Sequence, residues 1–425
     1  MKRLNGVFLS HRKHTENLLT EVLPLPPYVR IPMQMHMGAP CRPIVHIGDS
    51  VSVGTQIGEP VDNFGVPIHA SVSGMVKAVE DYLCQNGTTC AAIVIESDGE
   101  QKAAFSAKPP QLETREDLIA AAKASGCVGL GGAGFPTHIK LASQQTLDTL
   151  VVNAAECEPY LSSDCRQIVE AADEVLNGIL LIMRFMKLKQ CCIGIEENKA
   201  AAIKKLAEIC AEHKNIRMCV LPSKYPQGAE KVMTYHTTGR VIPEGKLAAD
   251  VGVLVMNVST CAFLYRYSVT GMPLVERRIT VDGDAVKRPC NLMVPIGTPY
   301  QLLLDYAGCD YEHLEELICG GPMMGMSLMN LEKPVCKPNN GLLAMKKAMQ
   351  VHTTSCIRCG RCMAACPMNL MPMELERAYQ KKDVEMLRKY RLNLCMNCGC
   401  CSYVCPAKRP LAETNQLAKA LLTKV

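Results

Sequence analysis

The amino-acid sequence predicts a multidomain α/β plus β protein that ends in a small helical domain built around cysteines. Three observations predict this. Between about residues 112 and 264, apolar runs of strand length alternate with amphipathic runs of helix length, the texture of a parallel sheet covered by helices. On either side, residues 30–105 and 265–332 alternate apolar and polar positions between Gly and Pro breaks, as β modules do. The last 70 residues hold two copies of one ladder, Cys-x2-Cys-x2-Cys-x3-Cys-Pro: Cys356, Cys359, Cys362, Cys366 before Pro367, and Cys395, Cys398, Cys401, Cys405 before Pro406.

The ladder fixes the chemistry of the C-terminal part. Four thiolates at this spacing hold a cubane of iron and sulfide, and in two-cluster bacterial ferredoxins the fourth cysteine of each run ligates the other cluster. The spacing therefore assigns Cys356, Cys359, Cys362 and Cys405 to one [4Fe–4S] cluster, and Cys395, Cys398, Cys401 and Cys366 to the second. Zinc is the competing reading. It uses two short-spaced pairs and four ligands in all, not two sets of four ending in Pro. Cys400 lies inside the second run without disturbing its spacing and reads as a bystander.

Composition bounds the rest. At 425 residues the chain has room for several domains. It has no Trp and 4% aromatic residues, so its cores rest on Val, Ile, Leu, Met and Ala. The longest apolar run, near residues 175–183, is far short of the roughly 20 residues that cross a bilayer. The basic opening MKRLNGVFLSHRKH has no apolar core of a signal peptide, so a cytoplasmic protein is expected. Of 24 cysteines, the 16 outside the ladders read as small buried hydrophobes in a reducing compartment. Net charge is +5, but residues 340–425 carry 14 Lys or Arg against 5 Asp or Glu. That local excess offsets anionic thiolates or meets an acidic partner. Basic residues without interleaved aromatics argue against nucleic acid.

In chain order, residues 1–29 form a Pro-rich lead-in. Residues 30–105 contain two similar halves, VHIGDSVSVGTQIGEP and PIHASVSGMVKAVE, which resemble the barrel-sandwich of lipoyl and biotinyl domains. The central hairpin reads His69-Ala70-Ser71 with no Lys, so this lipoyl-like module is expected to be unmodified. In the α/β domain, 112–264, helices are expected at 115–124, 165–186 and 198–213, with strands at 149–153, 191–195, 218–221 and 251–257. Residues 265–332 have the rhythm of a small β-grasp and resemble the soluble-ligand-binding β-grasp family. Residues 333–341 read as a linker. Within the ferredoxin-like domain, 340–425, residues 372–394 are expected to form a solvated connecting helix.

The segment GLGGAGFPTHIK, residues 129–140, concentrates Gly129, Gly131, Gly132 and Gly134 before a helix start. Such loops bring backbone N–H groups close to phosphates. Three further runs follow strand ends, where ligands of open α/β sheets collect: NAAECEP from Asn153, YPQGAEK from Tyr225, and NVST from Asn257.

GGAGFPT, NA-x-E-x-EP, Y-x-x-G-x-E and N-V-x-T occur in this order in the flavin subunit of respiratory complex I. With the β-grasp and both ladders behind them, they resemble the C-subunit of the Rnf electron-transport complex more closely, over about residues 30–410. The turn Met35-His36-Met37-Gly38-Ala39-Pro40 and the runs GDAVK and GGPMMG (320–325) add to the likeness. The resemblance implies noncovalent FMN meeting NAD(H). The glycine loop, with Phe135, would lie against flavin and dinucleotide phosphates. Lys140 would pair with the FMN phosphate or ring oxygens, and Asn153, Asn257 and Thr260 would hold the flavin. Glu156 and Glu158 would lie by the ring and nicotinamide as the catalytic pair, and Tyr225, Gly228 and Glu230 would shape the dinucleotide site.

The implied activity is that of one polypeptide of a ferredoxin:NAD+ oxidoreductase, within a Na+- or H+-translocating complex. It would sit on the cytoplasmic face of the membrane, beside membrane-bound Rnf subunits and linked indirectly to ferredoxin-type carriers. Leu130 and His138 stand where complex I has Arg and Gly, and NGVFLSHRKH lacks the Gly-Gly-Ile-His opening common among Rnf C-subunits. Two alternatives share the pattern: a paralogous NADH-dependent donor to a cobalamin or proline reductase system, and an assembly scaffold that has lost its flavin.

Overall fold

A computed structural model describes residues 4–84, 87–348 and 352–422. Four β and α layers follow the chain. The first joins an antiparallel sheet in the order Tyr28–Pro32, Thr89–Ser97, Gly74–Leu83, Ser50–Val51 to a small sheet of Arg42–Pro43, Gln56–Glu59 and Ile68–His69. Inward residues of both sheets, among them Val29, Ile57, Ile68 and Ile93, share one core, as expected of a barrel-sandwich. His69 is buried, not displayed at a tip.

The α/β part holds four parallel strands in the order Ile216–Leu221, Gln190–Glu196, Thr149–Ala154, Val253–Asn257. Period-two alternation assigns the faces. Leu150, Val152, Ile193 and Met256 share a core with residues of the helices Ala172–Phe185 and Val258–Thr270. Val151, Cys192, Val253 and Val255 instead share a core with Met233 of the helix Glu230–Thr238. All strands point their C-terminal ends the same way, which gathers the loops after residues 154, 221 and 257. The single helix expected over 165–186 is two, Ser163–Glu170 and Ala172–Phe185, broken where Ala171 leaves helical dihedrals at φ −142 and ψ 52. Arg278 pairs with Glu170, which also pairs with Arg166, drawing the first helix toward the next sheet.

Helices Ala172–Phe185 and Val258–Thr270 cross at Gly178. A Cβ there would lie 2.0 Å from the Cys261 carbonyl oxygen, backbone that cannot swing aside. Gly178→Ala should destabilise the α/β part by about 3 kcal/mol, measured as an earlier denaturant midpoint without change in the cysteine-ligated domain.

The third sheet has six strands in the order Thr20–Val22, Cys290–Pro295, Glu276–Asp282, Gly341–Met345, Glu316–Cys319, Met326–Ser327, and the helix Tyr300–Tyr306 packs into its core. It therefore recruits a strand from the expected lead-in and one beyond residue 332. Pairing partners distant in sequence leave no local signal, so boundaries drawn from texture cut across this sheet. The 333–341 stretch is no free linker either. Lys337 is buried, and its Nζ donates to the carbonyls of Pro67 (2.7 Å) and Gly126 (2.8 Å), tying the first layer to the second.

In the last layer, residues 372–394 form the helices Pro372–Gln380 and Val384–Lys389 and a 3-10 turn Leu392–Leu394, not one solvated helix. Leu375, Leu387 and Leu392 are wholly buried with Ala418 of the helix Leu411–Leu422. The charged residues between them mask this apolar face in the sequence.

Candidate functional site

The glycine loop closes on itself through Gly129 N–H to the Phe135 carbonyl at 2.8 Å. Gly131 and Gly132 are exposed, and nothing lies within 4 Å of where a Gly132 Cβ would be, at a φ of +111. Leu130 N–H donates to Thr260 Oγ1 (3.0 Å), and Gly131 packs on the Asn257 side chain. Asn257 caps the helix Val258–Thr270, its Oδ1 accepting from Thr260 N–H (3.2 Å), while its Nδ2 donates to Asp164 (2.7 Å). Capping satisfies an otherwise orphaned N–H. Lys140 Nζ reaches Glu230 (2.9 Å) and the Val255 carbonyl (3.2 Å) and stands 5.9 Å from the Phe135 ring. Phe135 meets Phe64 of the first layer edge to face, and His138, buried, bonds the Asn63 carbonyl through Nε2.

Asn153 Nδ2 donates to the Gly228 carbonyl (2.8 Å), joining two of the strand-end loops. Glu156 and Glu158 have different surroundings. The Glu156 carboxylate accepts from Asp164 N–H (2.7 Å) and Cys165 N–H (3.2 Å), so it caps the helix Ser163–Glu170 and is engaged in holding the loop. Glu158 Oε2 accepts from Met323 N–H (3.0 Å), but its Oε1 is buried without a partner. Burial pushes this carboxyl up to about 7. Tyr225 is buried with an unpartnered hydroxyl, and burial raises its pKa. Cys157 accepts from Gly228 N–H at 3.3 Å, and burial lifts its thiol to about 12, an inert filler rather than a redox thiol.

Two orphaned buried polar atoms, an open loop of glycines and the strand-end loops held by Asn153, Glu156 and Asn257 fit a flavin with its phosphate and polar ring edge. The sequence reading missed four contributors. Asp164 is a buried carboxylate held by Asn257 and Ser259. Gly321 leaves room for Glu158, since its Cβ would come 2.4 Å from Oε2. Arg277 Nη2 donates to the Leu130 carbonyl (3.1 Å). Lys13 Nζ donates to the carbonyls of Glu156, Glu158 and Leu161. Only the basic cluster HRKH hinted at the last.

Because folding favours the protonated Glu158, the native state binds more protons than the unfolded chain between about pH 4.5 and 7. Its stabilising share is whole below that window and is lost as pH rises through it. Glu158→Gln should therefore raise the thermal midpoint above about pH 7 and converge with the unsubstituted protein near about pH 4.5. A pH-independent difference between the two would contradict this.

The eight ladder cysteines line two cavities. Cys356, Cys359, Cys362 and Cys405 line one. Cys366, Cys395, Cys398 and Cys401 line the other, with Cys400 on its wall. The fourth cysteine of each ladder thus sits with the opposite run. The backbones repeat too: Arg358 and Asn397, Gly360 and Gly399, Asn369 and Lys408 are left-handed pairs, each offset by 39 residues. Among the described residues no three His, Cys, Asp or Glu side chains converge as a single metal ion requires. A zinc thiolate site draws its sulfurs to about 2.3 Å from one point. Two separate sets of four cysteines, each lining its own cavity, suit two polynuclear clusters. Leu370 N–H points at Cys366 Sγ and Arg358 N–H at Cys356 Sγ, both at 3.4 Å, the kind of contact that tunes cluster potential.

The two cavities differ in neighbourhood. Tyr225, Cys400 and Ala365 share an apolar cluster with Cys157, Met323 and Cys398, and Gly399 lies against the Met323 carbonyl. The Cys395 set therefore abuts the Glu158–Met323 loop. Around the other cavity, Cys356, Cys359, Ile357, Arg358, Arg361 and Lys408 are exposed.

Residues 2–100 match the RnfC barrel sandwich hybrid domain, residues 122–266 the Nuo51 FMN-binding domain and residues 355–408 the 4Fe-4S dicluster domain. The chain is 42% identical over 365 residues to the C-subunit of the Na(+)-translocating ferredoxin:NAD(+) oxidoreductase complex of Acetobacterium woodii, covering 84% of this chain and 82% of that one. It is 39% identical to the proton-translocating counterpart of Clostridium ljungdahlii (90% and 85% covered). To the C-subunit of the ion-translocating oxidoreductase complex of Rhodobacter capsulatus it is 38% identical (98% and 82% covered).

Proposed function

The chain belongs to the C-subunit family of the ion-translocating ferredoxin:NAD+ oxidoreductase (Rnf) complexes, and on that premise we propose how its residues divide the work of electron transfer between NAD(H), FMN and two [4Fe–4S] clusters. FMN, when bound, exchanges electron pairs with NAD(H) and single electrons with clusters. The glycine loop from Gly129 to Gly134, Asn257 and Thr260 hold the flavin. Lys140 is fixed by Glu230 and supplies positive charge beside Phe135. Glu156 sets the loop by capping its helix. Glu158 and Tyr225 present the unpartnered polar atoms beside the flavin and nicotinamide, and Asn153 with Gly228 fixes the spacing between their loops.

Cys395, Cys398, Cys401 and Cys366 would hold the inner cluster, and Cys356, Cys359, Cys362 and Cys405 the outer one. The two sets stand in series between the Glu158 site and the surface. The observation that carries this reading is the contact of Met323 with both Glu158 and Gly399. Exposed Ile357, flanked by Arg358, Arg361 and Lys408, supports an apolar docking point with a cationic rim for an acidic redox protein.

No helix of the described residues is long and apolar enough to cross a membrane. The chain would attach peripherally to the cytoplasmic face through membrane-bound Rnf subunits, with ferredoxin reached through them. Anaerobic assay of the purified chain tests the reading. FMN near one per chain and NADH oxidation with an artificial acceptor are expected. Full iron loading without flavin would leave only a cluster-carrying scaffold.

A further inference from the structure

A polar cavity lies behind the glycine loop, between the helices Ser163–Glu170 and Val258–Thr270 and the strand Glu276–Asp282. Ser163, Gln167, Ser259, Arg266, Arg277 and Arg278 line it. Arg277 is 6% exposed, yet no carboxylate bonds to it. Its Nε donates to the Asn339 carbonyl (3.1 Å) and Nη2 to the Leu130 carbonyl (3.1 Å), and Nη1 has no protein partner among the described residues. Arg278 gives Nη1 to Gln167 (2.9 Å) and Nη2 to Glu170 (3.1 Å), while its buried Nε has no partner.

The acids at the cavity are already engaged. Glu276 pairs with Arg266 at 3.2 Å, Glu174 accepts from Gln167 Nε2, and Asp164 accepts from Asn257 and Ser259. Buried Asp164 attracts the Arg277 charge without bonding it, and Glu170 takes one edge of Arg278. Arg277 Nη1 and Arg278 Nε are therefore the donors left over, and an oxyanion held between the two forks would fill them. We propose that this cavity binds a small oxyanion of the phosphate or phosphate-monoester class between Arg277 and Arg278, at a site separate from the flavin. Arg277 also grips the Leu130 carbonyl, so occupancy would stiffen the glycine loop from behind. Binding does not rest on the flavin reading; only that coupling does.

Calorimetric titration of the FMN-loaded chain with inorganic phosphate, and separately with AMP, tests this. One phosphate per chain is expected, bound about tenfold or more weakly in Arg278→Gln, the loss of one charge-assisted hydrogen bond, with flavin and iron content unchanged. Arg266→Met, a partly exposed wall residue, should also weaken binding by freeing Glu276, and serves if Arg278→Gln does not fold. AMP binding that is tighter than phosphate and indifferent to NADH would assign the anion to a nucleotide. Equal affinity, or AMP displaced by NADH, would assign it to free phosphate. The proposal is overturned by unchanged phosphate affinity in the folded variants, by no binding at all, or by one-for-one displacement of phosphate by FMN.

Discussion

Lys13→Met is expected to release the flavin and leave both cysteine sets loaded with iron. The 156–161 loop is held in an unfavourable shape, with Glu156 at φ +44 and Tyr160 at φ +68. Left-handed non-glycine residues persist only when their surroundings determine them. That determination comes from the N-terminal segment. Tyr160 N–H donates to the His11 carbonyl (2.8 Å), Arg12 reaches the Tyr160 hydroxyl (2.9 Å), and Thr15 bonds Ser162. At the centre, the Lys13 ammonium gathers three carbonyls. Methionine keeps the stem and removes all three bonds. The loss is about 2–3 kcal/mol for a partly buried group, or one to two orders of magnitude in FMN affinity. FMN retained through gel filtration, with iron as the internal control, reads the outcome. A variant that keeps its flavin would show that the strap does not set the loop.

The second large effect concerns the ladders. Cys401→Ser removes a thiol from the inner set, whose remaining members are Cys366, Cys395 and Cys398. Iron should fall from about eight to about four per chain, with flavin retained and NADH oxidation by a small flavin-reactive acceptor preserved. Reduction of any acceptor that takes electrons from the outer face should drop to background. The two runs are interleaved, so the variant's remaining cluster depends on Cys405 staying seated beside Cys356, Cys359 and Cys362.

These two cases mark what was legible in the sequence. The ladders are local in spacing, and their left-handed repeats at Gly360 and Gly399 follow from the same run, so the residues around each cavity could be foreseen. The parallel sheet was legible because its strands are continuous apolar runs. Lys13 was not, since its value lies in three carbonyls some 145 residues away. The third sheet's edge strand Thr20–Val22 failed for the same reason: three residues carry no period of their own. Glu156 and Glu158 look equivalent in NAAECEP. Only packing distinguishes the helix cap from the acid against Met323.

The order of the two cysteine sets is the central claim, and rapid mixing of NADH with anaerobic, FMN-loaded Cys359→Ser and Cys398→Ser variants tests it most directly. Electron paramagnetic resonance would follow the cluster left in each. Cys359→Ser keeps the inner set and should show its cluster reduced as fast as in the unsubstituted chain. Cys398→Ser keeps only the outer set, which should stay oxidised on that timescale although dithionite reduces it. Equal rates of reduction by NADH in the two variants, or faster reduction in Cys398→Ser, would contradict the series arrangement.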